Sequence, residues 1–219
     1  MAGKRGNSLV AVYGSVAPDF EDEYNNWYNT HHIPPRMQQV PGFLAAVRYR
    51  LAAQSTGNAP RYLTFYELEE TAVLKHPVLQ NMTDNPTDWD KRVTPHISVE
   101  GQLIYKRVAA VGNPGELHTP VVFTVRLDVA PEADEEFNRW YDTDHLPALG
   151  GVPGVQSARR YALRFPKGGS QYLTVYELER DDVRATDAWR KAADSPWTRK
   201  MQPNLKNIKL DQGRCIFQL

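Results

Sequence analysis

The sequence predicts an α+β fold built from two ferredoxin-like βαββαβ repeats, and three observations lead to this prediction. The first is a motif that occurs twice: residues 23–34, EYNNWYNTHHIP, return as residues 136–147, EFNRWYDTDHLP. The second and third are the segments after each copy, a Val-Pro-Gly turn at 40–42 and 152–154 and a Tyr/Thr-rich stretch at 62–69 and 172–179. Self-similarity through most of the chain indicates a tandem duplication.

Each repeat is predicted to open with a strand and an amphipathic helix. Residues 9–16 are apolar and β-branched, as in a strand, and Pro18 with the acidic residues after it is typical of a helix start. Pro34 predicts the end of this helix, so His32, and His145 in the second copy, lie in its last turn. The inner face is predicted to hold Phe20, Tyr24, Trp27, Tyr28 and His31, and the outer face Asn25, Asn26 and Asn29.

The rest of each repeat is predicted to be a hairpin, a second helical region and a last strand. In the first repeat the hairpin strands are residues 43–51 and 62–68. The last strands are predicted at 101–108 and, in the second repeat, at 213–219. Alternation along the strand 62–68 places Leu63 and Phe65 on one face and Tyr62, Thr64 and Tyr66 on the other.

A ferredoxin-like sheet carries both of its helices on one face and needs a cover on the other. We expect the Tyr/Thr face of one repeat to meet that of the other. The two antiparallel sheets would then pack into one α+β barrel inside the chain. The chain is accordingly divided into an N-terminal tail (1–7), a first repeat (8–108), a linker (109–120) and a second repeat (121–219).

Composition excludes several classes of protein. Lys and Arg total 26, as do Asp and Glu, so no net charge attracts nucleic acid or an anionic membrane. The single cysteine, Cys215, excludes an intrachain disulfide and favours a reducing compartment. No uncharged stretch approaches the roughly 20 residues of a membrane helix. We expect a cytoplasmic protein, an intrachain pseudo-dimer or a homodimer of it, whose partner is a small apolar or aromatic molecule.

The repeated motif resembles the signature of the dimeric α/β-barrel superfamily, and within it that of EthD-like small proteins. This signature, Asn-x-Trp-Tyr-x-x-x-His-Ile/Leu-Pro followed by Val-Pro-Gly, begins at Asn25 and again at Asn138. The resemblance covers both halves and implies the fold predicted above. Its implication for function is broad, because the superfamily includes cofactor-free monooxygenases, muconolactone-type isomerases, polyketide cyclases and haem enzymes.

A tyrosine stands four residues before the motif histidine in each copy, one helical turn away. Tyr28 with His32, and Tyr141 with His145, could therefore move a proton between a phenol and an imidazole, the natural general base near neutral pH. The resemblance places this histidine at the mouth of a substrate cavity between sheet and helices. The alternative in each copy is a structural histidine that bonds a helix carbonyl.

The first copy is richer in imidazole and the second in carboxylate. The residues concerned are His31 and His96 in the first copy and Asp142 and Asp144 in the second. The nearby carboxylates predict a raised pKa and a proton-donor role for His145, which leaves His32 as the neutral base. His96 is a further catalytic candidate, and the other three are candidates for substrate binding.

Aromatic and cationic side chains complete the candidate site. Trp27 and Trp140 are expected in the core and would also suit the wall of a pocket for a flat substrate. Arg48 and Arg160 are substrate-binding candidates that are expected on the surface. An inward-pointing arginine would need a carboxylate or an anionic ligand as its partner.

No cofactor is predicted. Three histidines in one half would permit a zinc or iron site. However, the adjacent His31 and His32 point about 100° apart on a helix and can hardly bind one ion. A haem is an alternative that the resemblance brings, although no proximal-histidine region is recognisable. The chain also has no Gly-rich phosphate loop and no nucleophile elbow.

Two functions follow from these observations. The first is an enzyme, a cofactor-independent lyase, isomerase or oxygenase that acts on an aromatic or apolar catabolic or polyketide-like intermediate by His/Tyr acid–base chemistry. The second is a non-catalytic protein that shelters a small ligand in the same cavity, which an interior filled by side chains would favour. A metal- or haem-dependent enzyme is a further alternative.

Overall fold

The computed structural model describes residues 5–52, 62–113 and 118–219. These residues form a closed antiparallel barrel of eight strands with eight short α-helices outside it. The strands are β1 (Ser8–Val16), β2 (Phe43–Leu51), β3 (Tyr62–Leu68), β4 (Ile97–Gly112), β5 (Val121–Val129), β6 (Val155–Phe165), β7 (Tyr172–Leu178) and β8 (Leu205–Gln218). The α-helices are α1 (Glu21–Trp27), α2 (Ile33–Gln39), α3 (Pro77–Asp84), α4 (Asp88–Val93), α5 (Asp134–Trp140), α6 (Leu146–Gly150), α7 (Asp187–Ala193) and α8 (Pro196–Met201).

The strand order around the barrel is β1-β3-β2-β8-β5-β7-β6-β4, and β4 pairs with β1 to close it. Each half contributes four neighbouring strands in the same order, β4-β1-β3-β2 and β8-β5-β7-β6. The halves join where β2 pairs with β8 and where β4 pairs with β6. The prediction of an α+β fold with a barrel inside one chain is therefore confirmed. No helix in the described ranges is long and apolar enough to span a membrane.

The last strand of each half is longer than predicted, because it spans both its own sheet and the seam with the other half. β4 begins at Ile97 and β8 at Leu205. β4 also continues to Gly112, which pairs with Ser157 of β6. The prediction that residues 109–120 form a linker was therefore wrong for residues 109–112, which belong to β4. Residues 114–117 lie outside the described part of the chain.

The prediction that residues 1–7 form a loose tail was wrong for residues 5–7, which the structure describes. The Arg5 guanidinium lies 2.6 Å from a carboxylate oxygen of Glu177, and both side chains are buried. The backbone carbonyl of Asn7 accepts a hydrogen bond from the Arg107 N–H at 2.8 Å. These partners are far away in sequence, so local composition could not indicate them. The first four residues lie outside the described ranges.

The two faces of each sheet are covered the opposite way round to the prediction. Leu63 and Phe65 point into the barrel, where they pack with Leu173 of the other half. The Tyr/Thr face lies beneath the helices instead. Alternation separates the two faces of a strand but does not say which one the helices cover. Tyrosine suits the helix side because its hydroxyl reaches polar helix side chains, as Tyr62 does when it accepts a hydrogen bond from Asn25 at 3.2 Å.

The motif helix was predicted to end at Pro34, and this was wrong. The helix instead passes through a π-helical turn. This turn covers Tyr28–His32 in the first half and Tyr141–His145 in the second, and it joins α1 to α2 and α5 to α6. The Ile33 N–H donates to the carbonyl of Tyr28, five residues earlier. Pro34 then stands in the first turn of α2, where its missing N–H costs least. π-Turns within α-helices occur frequently at functional sites.

Candidate active site

The first half holds a cavity of about 340 Å³ between its helices and the outer face of its sheet. Aromatic side chains form much of the wall, namely Tyr24, Trp27, Tyr28, Phe43 and Tyr66. Polar groups reach it from His32, Arg36 and Thr64. An apolar pocket with a few convergent polar groups is the usual form of a small-molecule site. The motif tyrosine, tryptophan and histidine of the first repeat therefore come together on one cavity wall.

The equivalent place in the second half is filled by side chains. Strand pairing aligns Val10 with Phe123 and Gly14 with Leu127, and the helix N-caps align Leu79 with Trp189. Each residue of the second half is the larger of its pair. The indole of Trp189 packs edge-on against Phe123, with ring centroids 5.8 Å apart. Of these two equivalent places in the described part of the chain, the one in the first half has room for a ligand.

His32 stands against two aromatic rings in this cavity. Its imidazole centroid lies 4.4 Å from that of Trp27 and 4.7 Å from that of Tyr28. Burial lowers the pKa of His32 well below its ordinary value, and the nearby Arg36 cation lowers it further. The imidazole is therefore neutral at physiological pH and can accept a proton. The neutral state is the one expected from the sequence, and the role of His32 as a base stays a prediction.

The tyrosine hydroxyls between the motif helix and the sheet have different hydrogen-bond partners in the two halves. In the second half Thr174 donates to the Tyr141 hydroxyl at 2.9 Å, and that hydroxyl lies 3.5 Å from the hydroxyl of Tyr176. In the first half the Tyr66 hydroxyl is buried and makes no hydrogen bond of good geometry. Burial raises the pKa of Tyr66 well above its ordinary value, and the neighbouring Tyr28 adds to this. Tyr66 therefore stays protonated at physiological pH.

The prediction that Arg48 and Arg160 lie on the surface was wrong, because both side chains are fully buried. Arg48 donates to Asn29 Oδ1 at 2.6 Å and to Asn25 Oδ1 at 2.9 Å. Its guanidinium lies 4.3 Å from the centre of the Tyr28 ring. The asparagines were predicted to face outward, yet they turn inward to bind this cation. Arg48 thus fixes the motif helix on the sheet behind the cavity wall.

Arg160 repeats this arrangement in the second half with one change of charge. It bonds Asn138 and the carboxylate of Asp142, which takes the place of Asn29. The recurrence of Asn25 as Asn138 in the motif was the signal that could have identified these positioning residues. Asp142 is thus the partner of a buried arginine and is not placed to bind a substrate.

The raised pKa predicted for His145 was wrong. Burial lowers its pKa to about 4, and the favourable charge of Asp144 offsets only part of that effect. The Asp144 carboxylate accepts a hydrogen bond from Ser195 Oγ at 2.7 Å. His145 Nδ1 lies 3.5 Å from Thr198 Oγ1. A proton-donor role for His145 has no support in this environment.

Two further candidates lie away from the cavity wall. The ring of His31 contacts Thr87 at 3.0 Å and Asp90 at 3.5 Å, and so connects the motif helix to α4. The ring of His96 stacks on Phe20 with centroids 3.4 Å apart. Neither side chain reaches the cavity. Both contacts are of the kind that hold elements together.

The two motif tryptophans are buried, as expected of core residues, but they differ in their surroundings. Trp27 lines the cavity and donates its indole N–H to Asp90 at 2.9 Å. Trp140 packs in the filled core of the second half, and its indole N–H has no partner among the described residues. Trp27 is therefore the one of the two that could contact a ligand.

The described residues do not offer a site for a metal ion. They contain no cluster of three or more His, Cys, Asp or Glu side chains able to hold an ion. The cavity beside His32, at about 340 Å³, is at the small end of ligand pockets. It suits a molecule of a few fused rings rather than a macrocycle. The space beside His145 is occupied by the core of the second half.

No family model and no curated protein sequence matches the chain, but solved structures share its fold. A candidate monooxygenase from Fusobacterium nucleatum superposes with a TM-score of 0.64 at 14% identity, over 98% of this chain and 95% of its own. An anthrone oxidase-like protein gives 0.60 at 10% identity, over 100% and 95%. A candidate chlorite dismutase gives 0.61 at 11% identity, over 96% and 94%.

The chain is similar to these structures over nearly its whole length. The barrel fold predicted from the sequence is thereby confirmed, and the superfamily stays a resemblance. With at most 14% identity in these three comparisons, the similarity reaches the fold and no further.

Proposed function

We propose that the chain is an enzyme, a cofactor-independent lyase, isomerase or oxygenase that acts on a small planar aromatic or apolar molecule in the cavity of the first half. The observation that carries this proposal is the neutral, half-buried imidazole of His32 on an apolar cavity wall beside Tyr28. A neutral imidazole has the free lone pair that a general base needs to accept a proton.

The proposed common step is transfer of a proton from an acidic C–H or O–H group of the substrate to His32. The imidazole becomes an imidazolium, and the negative charge stays on the substrate. Tyr66 lines the same cavity with a protonated hydroxyl and is the proposed hydrogen-bond donor to that charge. Return of the proton to another carbon is isomerisation, loss of a leaving group is elimination, and reaction of the anion with O₂ is oxygenation.

Two comparisons support this proposal. One structural neighbour is described as anthrone oxidase-like, and anthrone is a flat ketone with an acidic C–H group. Another is described as a candidate monooxygenase.

We also propose that the chain is an EthD-like tandem duplication of a ferredoxin-like unit. The identical strand order of the two halves and the repeated motif support this origin. In this account the second half keeps the motif but fills the cavity.

The second candidate function is a protein that binds the same class of molecule without chemistry. One observation favours it: in the described part of the chain, no side chain forms a hydrogen bond with a ring nitrogen of His32. Histidine bases are commonly oriented by a second residue. A ligand could supply this orientation, since catalytic hydrogen bonds often tighten only in the complex.

Exchange of the anthrone methylene hydrogens with solvent deuterium tests the proton-transfer step directly. NMR in D₂O measures the rate with and without protein. We expect the wild-type chain to accelerate exchange and His32→Gln to lose most of that acceleration, about 10²–10⁴-fold for a general base. The matched control is His145→Gln, at the same motif position, which should leave the rate unchanged.

The outcomes distinguish the two candidates. Quenching of tryptophan fluorescence by anthrone without accelerated exchange would support the binding protein. Equal loss of exchange in both variants would contradict the assignment of the site to the first half. Circular dichroism of each variant establishes that the loss does not come from unfolding.

A further inference from the structure

Arg36 is the one residue with a permanent charge on the cavity wall in the described part of the chain. It also lines a second, outer groove of about 410 Å³ next to the cavity. The cavity and the groove share Trp27 and His32 as well as Arg36. Arg36 therefore stands where the inner cavity meets the surface, at the place through which a ligand would enter.

The charge of Arg36 is not neutralised by a carboxylate. Its guanidinium donates to the backbone carbonyl of His32 at 2.5 Å, and no Asp or Glu of the described residues lies within ion-pair distance of it. The groove does contain the carboxylate of Asp90. This group is already used, because it accepts hydrogen bonds from the Trp27 indole and from Thr87. A half-buried arginine beside an apolar cavity thus has bonding capacity left over.

The fold itself does not require a cation at this position. In the second half Leu149 takes the place of Arg36, four residues after the motif histidine. Leu149 is buried in the apolar core that fills the equivalent cavity. The arginine therefore occurs in the half that has a cavity, and leucine in the half that has none. Arg36 is more simply explained by a ligand than by packing.

We propose that Arg36 recognises a carboxylate on a planar aromatic ligand that enters the cavity through the outer groove. A guanidinium matches a carboxylate with two parallel hydrogen bonds, which gives this pair both strength and orientation. The aromatic body would lie against Trp27 and Tyr66, with its acidic end at the mouth. This inference takes the location of the site from the proposed function and adds the substrate class, an aromatic acid.

Two probes that differ in charge test the inference, namely 2-naphthoate and the neutral 2-naphthamide. Their affinities are measured by isothermal titration calorimetry on the full chain. We expect the wild-type chain to bind 2-naphthoate at least about tenfold more tightly, as befits a charge-assisted bidentate pair. Arg36→Leu should abolish this preference. Arg36→Lys should keep part of it, because lysine keeps the charge but cannot form the two parallel hydrogen bonds of a guanidinium.

Arg164→Leu is the matched control, since it removes an exposed arginine from β6, away from the cavity. It should leave the preference for 2-naphthoate intact. Equal binding of the two probes by the wild-type chain would overturn the inference, and so would a preference that survives in a folded Arg36→Leu variant. If the leucine variant does not fold, an undiminished preference for 2-naphthoate in Arg36→Lys would overturn the inference instead.

Catalysis and recognition can fail separately in these experiments. A chain that prefers 2-naphthoate but does not accelerate deuterium exchange refutes the proposed chemistry and retains the role of Arg36. A chain that binds neither probe refutes the site and the inference together. His32→Gln should retain the preference for 2-naphthoate, because it leaves the guanidinium in place.

Discussion

Filling the first-half cavity in the way that the second half fills its own should stabilise the protein and block the site. The substitution is Leu79→Trp, which places in α3 the residue that stands as Trp189 in α7. A tryptophan buries about 60 Å² more apolar surface than a leucine, which at about 25 cal/mol per Å² is worth about 1.5 kcal/mol. For a chain of this size the melting temperature should rise by about 3–6 °C.

The sign of the change tests the cavity itself. If the space were already packed, the larger ring would force its neighbours apart and cost about 1–3 kcal/mol. The reverse control is Trp189→Leu, which opens a cavity in a filled core and should destabilise by about 2–4 kcal/mol. Urea denaturation monitored by circular dichroism measures both variants, and anthrone binding should disappear in Leu79→Trp. A destabilised Leu79→Trp that still binds anthrone would refute the reasoning.

Two further predictions concern the buried charges. Arg48→Met should cost about 2–5 kcal/mol in urea denaturation, because it leaves two buried amide oxygens unpaired. Arg160→Met should cost less, since the Asp142 side chain that it leaves behind is 38% exposed and can be hydrated. A larger loss in Arg160→Met would contradict this reasoning. The pKa of His145 is lowered to about 4, so the unfolded chain takes up the proton first as the pH falls. Stability should therefore drop between about pH 6.5 and 4, by up to about 3 kcal/mol. His145→Gln should make that part of the pH profile less steep, although His32 and His118, whose pKa values are also lowered, keep some of the slope. An unchanged profile would disprove the assignment.

Much of the fold could be predicted because the main sequence segments occur twice. The Val-Pro-Gly turns are an example, since Gly42 and Gly154 both adopt a φ of +92°, a conformation that glycine tolerates. The sequence could not show which face of each sheet the helices cover and which face points into the barrel. The alternation of Leu63 with Tyr62 is the same whichever of the two faces the helices cover.

The site was predictable in part for a similar reason. Spacing brings Tyr28 and His32 together whatever the tertiary structure, and the structure retains that pair. The burial of Arg48 depends on how the helix lies across the sheet, which no local pattern specifies. The same holds for His145, where the nearby aspartates indicated a raised pKa but burial dominated. Arg36 is visible in the sequence as the mismatch with Leu149, yet its significance appears only once a cavity lies beside it.

The central claim is that the first half carries the site, with His32 as a neutral base. Long-range ¹H–¹⁵N correlation spectra of the histidine rings, titrated with pH and then with anthrone, test this claim most directly. The account predicts that His32 stays neutral well below pH 6.5 and that anthrone shifts its ring nitrogens while leaving those of His145 unmoved. A His32 that titrates near pH 6.5, or anthrone shifts confined to His145, would contradict it.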